Sequence, residues 1–284
     1  MPAQQKIIER LEDSESIDRL ARPLARTASR LTQPTPIKNS LSGTWLGHPL
    51  HPMLTDVPIG SWVAATALDV FGGRSGRNAA RRLVGLGVLA AAPTAFAGWS
   101  DWSDTYGPEQ RIGVVHALGN LSAVALQLAS YLARRRGDHG RGRLLSLAGA
   151  GVMGGAAYLG GHLSYVRGIG VNHTAFEELP AEWTDVAAIA ELAPDKPARV
   201  SAGGVPVVLV RHDDEVRALA ATCVHAGGPL EEGQLVDGCL RCPWHGSMFE
   251  LSSGKVVRGP ATIPQPSLEV RLEEGRIQVR ARTH

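Results

Sequence analysis

The sequence predicts a two-part fold, a bundle of four transmembrane helices followed by a small antiparallel all-β domain. Three observations predict it: four long apolar runs before residue 170, short β-branched runs broken by turns after residue 198, and a C-x-H…C-x-x-H constellation within that second part. Whole-chain composition conceals the division, because 29 basic against 27 acidic residues leave a formal charge of +2 with 44% hydrophobic residues, values ordinary for a soluble protein. The expected boundaries are an amphipathic segment at 1–47, a helical membrane domain at 48–170, a linker at 171–197 and the β domain at 198–284.

In chain order, residues 4–31 come first. Ile7, Ile8, Leu11, Ile17, Leu20 and Leu24 recur at helical spacing among Arg and Glu, the pattern of an amphipathic helix lying on the bilayer or on another part of the protein. Gln33-Pro34-Thr35-Pro36 ends it. The segment lacks the apolar core and small-residue cleavage site of a signal peptide.

The apolar runs at 54–71, 83–99, 112–133 and 144–166 follow, each near the roughly 20 residues that cross a hydrocarbon core. Their interiors hold no Lys or Arg, although Asp56 and Asp69 interrupt the first. Ala and Gly dominate them, and Gly151-x-x-x-Gly155 and Ala157-x-x-x-Gly161 offer a narrow face on the fourth for close helix packing. A buried soluble bundle is the alternative, but four such runs joined by short loops would leave it little polar surface. Trp99 and Trp102 read as interfacial anchors, and no internal repeat is apparent.

After residue 170 the chain becomes an acidic, proline-punctuated connector (177–197). Strands are then expected at 205–210, 215–220, 255–258, 267–272 and 276–280, with Glu273-Glu274-Gly275 closing a hairpin.

Cys223-Val224-His225 and Cys242-Pro243-Trp244-His245 supply two thiolates and two imidazoles. Two thiolates can hold one iron and two imidazoles the other, and neutral imidazole in place of thiolate raises the potential to roughly −150 to +300 mV. Zinc also favours Cys and His at short spacing, but C-x-H is an unusual zinc pattern and needs no glycine-rich flanks. The stretches His225-Ala226-Gly227-Gly228-Pro229-Leu230 and Cys242-Pro243-Trp244-His245-Gly246-Ser247-Met248-Phe249 resemble the two cluster loops of Rieske proteins. Rieske subunits of quinol-oxidising complexes carry an additional cysteine in each loop, joined as a disulfide, where this chain has Gly228 and Trp244. The resemblance is therefore to ferredoxin-type Rieske domains, and it implies a [2Fe–2S] cluster on Cys223, His225, Cys242 and His245. Cys239 reads as a small strand residue near the cluster. With no disulfide available, cysteine usage does not demonstrate an oxidising compartment.

His48, His51, His116, His162 and His173 fall at the edge of the membrane half or inside it. With four spans they share one membrane face. Imidazoles projecting from bundle helices commonly hold haem or metal, and an imidazole in a span is costly enough to suggest function. His116 and His162 are the expected axial pair for a haem b or second metal, with His51 and His48 as alternates. The competing reading is that these residues hydrogen-bond near the interface and cap a helix start. Residues 47–170 also resemble a family of four-helix membrane domains of uncharacterised function that open on an HPxHP-type motif, here His48-Pro49-Leu50-His51-Pro52. That resemblance implies topology and no reaction. His139, His212 and His284 read as solvated, strand-edge and tail residues.

Sidedness is contested within the sequence. Arg74, Arg77, Arg81 and Arg82 in the first loop and Arg134, Arg135, Arg136, Arg141 and Arg143 in the third point to the cytoplasm, leaving the histidine face and β domain outside a bacterial-type cell membrane. The Arg-rich N-terminal segment and the disulfide-free cluster loops argue the reverse.

The expected function is that of a membrane-bound electron-transfer protein, an oxidoreductase component exchanging electrons with a haem, a quinone or a protein partner. A cluster-based redox sensor or assembly factor on a passive membrane anchor is the alternative. A self-sufficient oxygenase would need a D/E-x-x-H-x-x-x-x-H run for mononuclear iron, and none is present. Phosphate loops, dinucleotide fingerprints and nucleic-acid motifs are missing too, so the partners expected are a redox protein or quinone and membrane lipid. Oligomeric state is not legible.

Overall fold

In the computed structural model, which describes residues 3–213 and 215–282, the N-terminal amphipathic pattern is broken at Ser14. Helices α1 (Ala3–Asp13) and α2 (Asp18–Thr32) flank one 3-10 turn, and α3 (Thr35–Ser42) follows. His284 lies outside the described residues. The chain clusters into two compact units, Met1–Pro34 with Leu50–Ile169, and Thr35–Pro49 with Gly170–His284.

The first unit holds α1, α2 and four longer helices: α4 (Leu50–Phe71), α5 (Arg77–Trp102), α6 (Gly107–Arg135) and α7 (His139–Tyr165). Pro108 starts α6, where a missing N–H costs nothing, and the Asp138 side chain caps α7 by accepting from the Arg141 N–H at 3.0 Å. Three of these helices, α5, α6 and α7, are long and apolar enough to cross a membrane. Helix α4, which carries Asp56 and Asp69, is not among them, so three apolar spans stand where the sequence suggested four.

The N-terminal helices pack on this same unit. Ala21 and Ala25 of α2 are buried with Trp102 and Val114, and Arg111 reaches both carboxylate oxygens of Asp18 at 2.7 and 3.0 Å. Trp102 is thus a core residue rather than an interfacial anchor, its Nε1–H donating to the Gln110 carbonyl at 3.0 Å. Trp99 is the more exposed of the two.

Helices α4–α5 and α6–α7 form two hairpins that share several equivalent contacts. The His51 Nδ1–H donates to the Thr94 carbonyl at 2.9 Å, and a Cβ added at Gly98 would strike its ring. The His116 Nδ1–H donates to the Ala156 carbonyl at 2.7 Å, and a Cβ at Gly160 would strike that ring. Three turns further on, Trp62 donates to the Val84 carbonyl and covers Gly87, while Gln127 donates to the Ser146 carbonyl and covers Gly149. One constant sequence offset carries His51 to His116, Trp62 to Gln127 and Asp69 to Arg134. A second offset carries Ala80, Gly87, Thr94 and Gly98 to Gly142, Gly149, Ala156 and Gly160. An internal repeat is therefore present although none is apparent in the sequence: between α5 and α7, Arg81, Leu83, Gly87, Ala95 and Gly98 recur as Arg143, Leu145, Gly149, Ala157 and Gly160, too few for the eye.

The repeat also identifies the packing row. Gly142, Gly149, Ala156 and Gly160 face α6, whereas a Cβ at Gly151 or Gly155 would meet open space. Among the described residues nothing packs on the expected Gly151/Gly155 face. Where the repeat ends, Asp69 and Arg134 meet instead of matching: the guanidinium donates to both carboxylate oxygens at 2.8 and 2.5 Å with its side chain fully buried. Arg134 is thus a neutralised structural residue rather than a loop charge.

The second unit is two antiparallel sheets. Six strands run in the order β1-β10-β9-β4-β3-β2 and four in the order β5-β6-β7-β8, with β1 Thr184–Ala188, β2 Ala198–Ala202, β3 Val205–His212, β4 Glu215–Ala220, β5 Gln234–Val236, β6 Cys239–Arg241, β7 Met248–Glu250, β8 Val256–Arg258, β9 Ser267–Glu273 and β10 Arg276–Ala281. The connector is more than a linker, because β1 within it pairs with β10. Strands β2, β5, β6 and β7 lie outside the expected set, the last three being too short to show an alternation. Side chains alternate across β3: Val207 and Leu209 enter a core with Ala218 and Ile277, while Val208 and Val210 enter a second core with Leu219, Phe249, Cys223 and Cys242.

Candidate metal centre

Two loops leave this second core, one between β4 and β5, the other between β6 and β7, and they share a hydrogen-bond pattern. The Cys223 N–H donates to the Gly228 carbonyl at 2.9 Å while the Gly227 N–H returns to the Cys223 carbonyl at 2.9 Å; the Cys242 N–H donates to the Ser247 carbonyl at 2.8 Å while the Gly246 N–H returns to the Cys242 carbonyl at 3.1 Å. Closing such turns puts Gly227 at φ 75° and Gly246 at φ 71°, a region where an L side chain is strained.

The turns bring two pairs of side chains together. Cys223 and Cys242 are buried with their sulfurs in one hydrogen bond, and the His225 and His245 rings lie 5.0 Å apart at 82°. The shared bond makes Cys242 the sulfur that ionises first, because Cys223 donates to it and the Trp244 and His245 amides add their own hydrogen bonds. Its hydrogen bond to Cys242, and then burial, push the Cys223 thiol up. Burial, with His245, Lys38 and His173 nearby, lowers the His225 pKa to about 3 and holds the ring neutral. Its Nδ1 is buried without a hydrogen-bond partner, which in a protein interior calls for a missing partner such as a metal.

Among the described residues no three His, Cys, Asp or Glu side chains converge on one point. Two sulfurs and two imidazoles split in this way suit a two-iron group better than zinc, which gathers its ligands around one ion. A Cβ at Gly228 would sit 3.0 Å from the Cys242 sulfur and 3.2 Å from the Trp244 ring. The positions that hold the extra cysteines in quinol-complex Rieske subunits are therefore neighbours here, filled by an indole over a glycine.

Residues without any sequence signal hold the loops. Gln265 is buried; its Oε1 accepts from the Val224 N–H at 3.0 Å and its Nε2 donates to the Ala220 and Thr222 carbonyls at 2.9 and 2.7 Å. Arg258 donates to the Gly246 carbonyl at 2.7 Å. Helix α3 contributes Asn39, which donates to the Val257 carbonyl and accepts from the Gly259 N–H, and Lys38, whose side chain is buried. His173 belongs here, its N–H donating to the Val224 carbonyl at 3.1 Å. Replacing Gln265 by alanine is expected to cost about 2–4 kcal/mol, since three backbone groups, two of them fully buried, lose their partner. The denaturant midpoint for loss of the second unit's near-ultraviolet signal measures it, and an unchanged midpoint would count against the clamp.

The other histidines are placed apart. His48 lies in the second unit with its Nδ1 3.0 Å from the Pro49 carbonyl. His162 bonds to the Glu12 carboxylate at 2.9 Å, which Arg167 also contacts, while His51 and His116 occupy the equivalent hairpin positions.

A Rieske [2Fe–2S] domain family matches residues 182–269, and a family described as a predicted membrane protein, DUF2231, matches residues 47–173. The anthranilate 1,2-dioxygenase ferredoxin subunit of Burkholderia cepacia is 34% identical over 99 residues, 35% of this chain and 92% of that protein. Ferredoxin CarAc of Metapseudomonas resinovorans is 33% identical over 98 residues, 34% of this chain and 92% of that protein. The cytochrome b6-f complex iron-sulfur subunit of Chlorobaculum tepidum is 32% identical over 73 residues, 26% of this chain and 39% of that protein.

Proposed function

Through its C-terminal domain the chain belongs to the Rieske [2Fe–2S] family, and from that membership we propose a membrane-bound electron carrier that serves a redox protein, a quinone or a haem. The observation that supports it most is that two loops of identical hydrogen-bond pattern present a pair of buried cysteines and a pair of stacked histidines. Cys223 and Cys242 would hold one iron, His225 and His245 the other. When bound, the cluster supplies reversible one-electron transfer.

The protein's own groups shape that step. The cysteine end lies in the apolar core, whereas His225, His245 and the indole of Trp244, about half exposed, form the outer edge. Electrons would pass at that edge, and keeping His225 neutral leaves a lone pair for iron. The relatives include ferredoxin subunits of dioxygenases, which supports a protein partner of the same general kind.

Helix α4 would be the fourth span, since Arg134 neutralises Asp69 and Asp56 lies within its first two turns. Arg74, Arg82, Arg135, Arg136 and Arg141 remain exposed at one end of the four helices, which supports a cytoplasmic position for that end and the opposite one outside. The test is an absorption and electron paramagnetic resonance spectrum of the detergent-purified full chain with and without dithionite. A Rieske-type signal appearing on reduction is expected; a colourless, zinc-loaded protein would sink the reading.

A further inference from the structure

Two arginines meet on the second cluster loop. Arg241 of β6, Met248 of β7 and Arg258 of β8 stand in register across three neighbouring strands, so their side chains share one face of the sheet. That face runs into the 242–247 loop, where a Cβ at Gly246 would come 3.0 Å from the Arg258 Nη1 and 3.5 Å from both the Nε and the Nη2 of Arg241. The Arg258 Nη1 donates to the Gly246 carbonyl at 2.7 Å and the Gly259 carbonyl at 2.9 Å, and lies 3.5 Å from the carbonyl of His245. Carbonyl oxygens satisfy N–H groups without cancelling the charge. Arg258 is itself framed by α3, a helix outside both family matches: the Asn39 amide donates to the Val257 carbonyl at 3.0 Å and accepts from the Gly259 N–H at 2.9 Å, bracketing Arg258 on either side. The same segment reaches the loop a second time, since Thr44 donates to the Ala261 carbonyl at 3.2 Å and the Ala261 N–H donates to the Ser247 hydroxyl at 3.0 Å.

We propose that Arg258, braced by Asn39 and joined by Arg241, sets how readily the bound cluster accepts an electron. Reduction adds one negative charge to the cluster. A cation held beside the His245 backbone stabilises the reduced form over the oxidised one, most where its surroundings screen it least. Arg258 is partly buried and Arg241 is exposed, so Arg258 carries the larger share and Arg241 the share that salt can screen. A structural pin would need only one donor for the Gly246 carbonyl, and two guanidiniums are gathered there. Asn39 acts at one remove as a positioning residue, holding the stretch from which Arg258 projects.

The assignment deepens the electron-carrier reading and rests on it, so one measurement needs the cluster and another does not. In the detergent-purified full chain, the cluster is titrated potentiometrically and followed by electron paramagnetic resonance at low and at high salt. At a fixed potential, Arg258→Gln is expected to lower the ratio of reduced to oxidised cluster about three- to tenfold, tenfold being about 59 mV for one electron. Arg258→Lys keeps the charge and should stay near the wild-type ratio. Arg241→Gln should lower the ratio by less, and its effect should vanish at about 1 M salt, where the screening length is about 3 Å. In the metal-free full chain, Asn39→Ala is expected to raise hydrogen exchange across residues 242–247. Equal ratios for wild type and Arg258→Gln, or an Arg258→Lys shifted as far as Arg258→Gln, would overturn the assignment. If Arg258→Gln does not retain the cluster, Arg241→Gln decides, and an unchanged ratio at low salt overturns the assignment in the same way. Absence of a Rieske-type signal in the wild type overturns the carrier reading instead, and unaltered exchange in Asn39→Ala overturns the brace whatever the cluster shows.

Discussion

Replacing Cys242 by serine is expected to abolish the Rieske-type signal and visible absorption assigned to the second unit, while the helical content of the first is retained. Cys242 is the sulfur that ionises first, because Cys223, Trp244 and His245 all donate hydrogen bonds to it, and a serine hydroxyl offers no comparable anion for iron. The buried position gives solvent no way to substitute for the lost ligand. Cys239→Ser is the control. That residue lies on β6, buried but outside the two loops, so its change is expected to leave the spectrum in place. Retention of the signal in Cys242→Ser, or its loss in Cys239→Ser alone, would contradict the assignment.

Arg134→Met is expected to destabilise the helical unit by about 3–5 kcal/mol, the scale of removing one partner from a buried ion pair. Its guanidinium is fully buried on Asp69 and also donates to the Ser130 hydroxyl at 3.1 Å, so the variant strands a carboxylate beside apolar helices. Arg143, 3.5 Å from the same carboxylate but more exposed, compensates weakly. The double variant Asp69→Leu/Arg134→Met is expected to recover most of the loss, since well-packed apolar replacements of a buried pair are often neutral. Helical circular dichroism during thermal unfolding in detergent distinguishes the two, and equal stability of the single and double variants would show that the stranded charge is not the cause.

Both predictions draw on residues of unequal legibility. Cys223, His225, Cys242 and His245 were readable because metal-ligand chemistry demands particular side chains at short spacing, and that demand survives without knowledge of the fold. Gln265 was not, because its contribution is three hydrogen bonds to backbone groups far away in sequence, and a glutamine between two prolines looks like any loop. The N-terminal amphipathic pattern was correct in kind, but whether Ala21 and Ala25 met lipid or protein depended on partners the pattern does not name.

The helical part divides the same way. Apolar runs and their lengths could be read directly, since hydropathy is a property of each residue. That the first run carries an ion pair with the end of the third, that Gly149 and Gly160 rather than Gly151 and Gly155 carry the packing, and that His116 corresponds to His51 rather than joining His162 were decided only by the tertiary structure. The reason is physical: which face of a helix is buried depends on its neighbours, and small residues on every side of α7 leave all its faces equally eligible until α6 is docked. The sequence by itself determined a Rieske-type pair of Cys/His loops and an apolar helical half; the fold decided which histidines stand in equivalent, tautomer-fixed positions and which are merely near them in the chain.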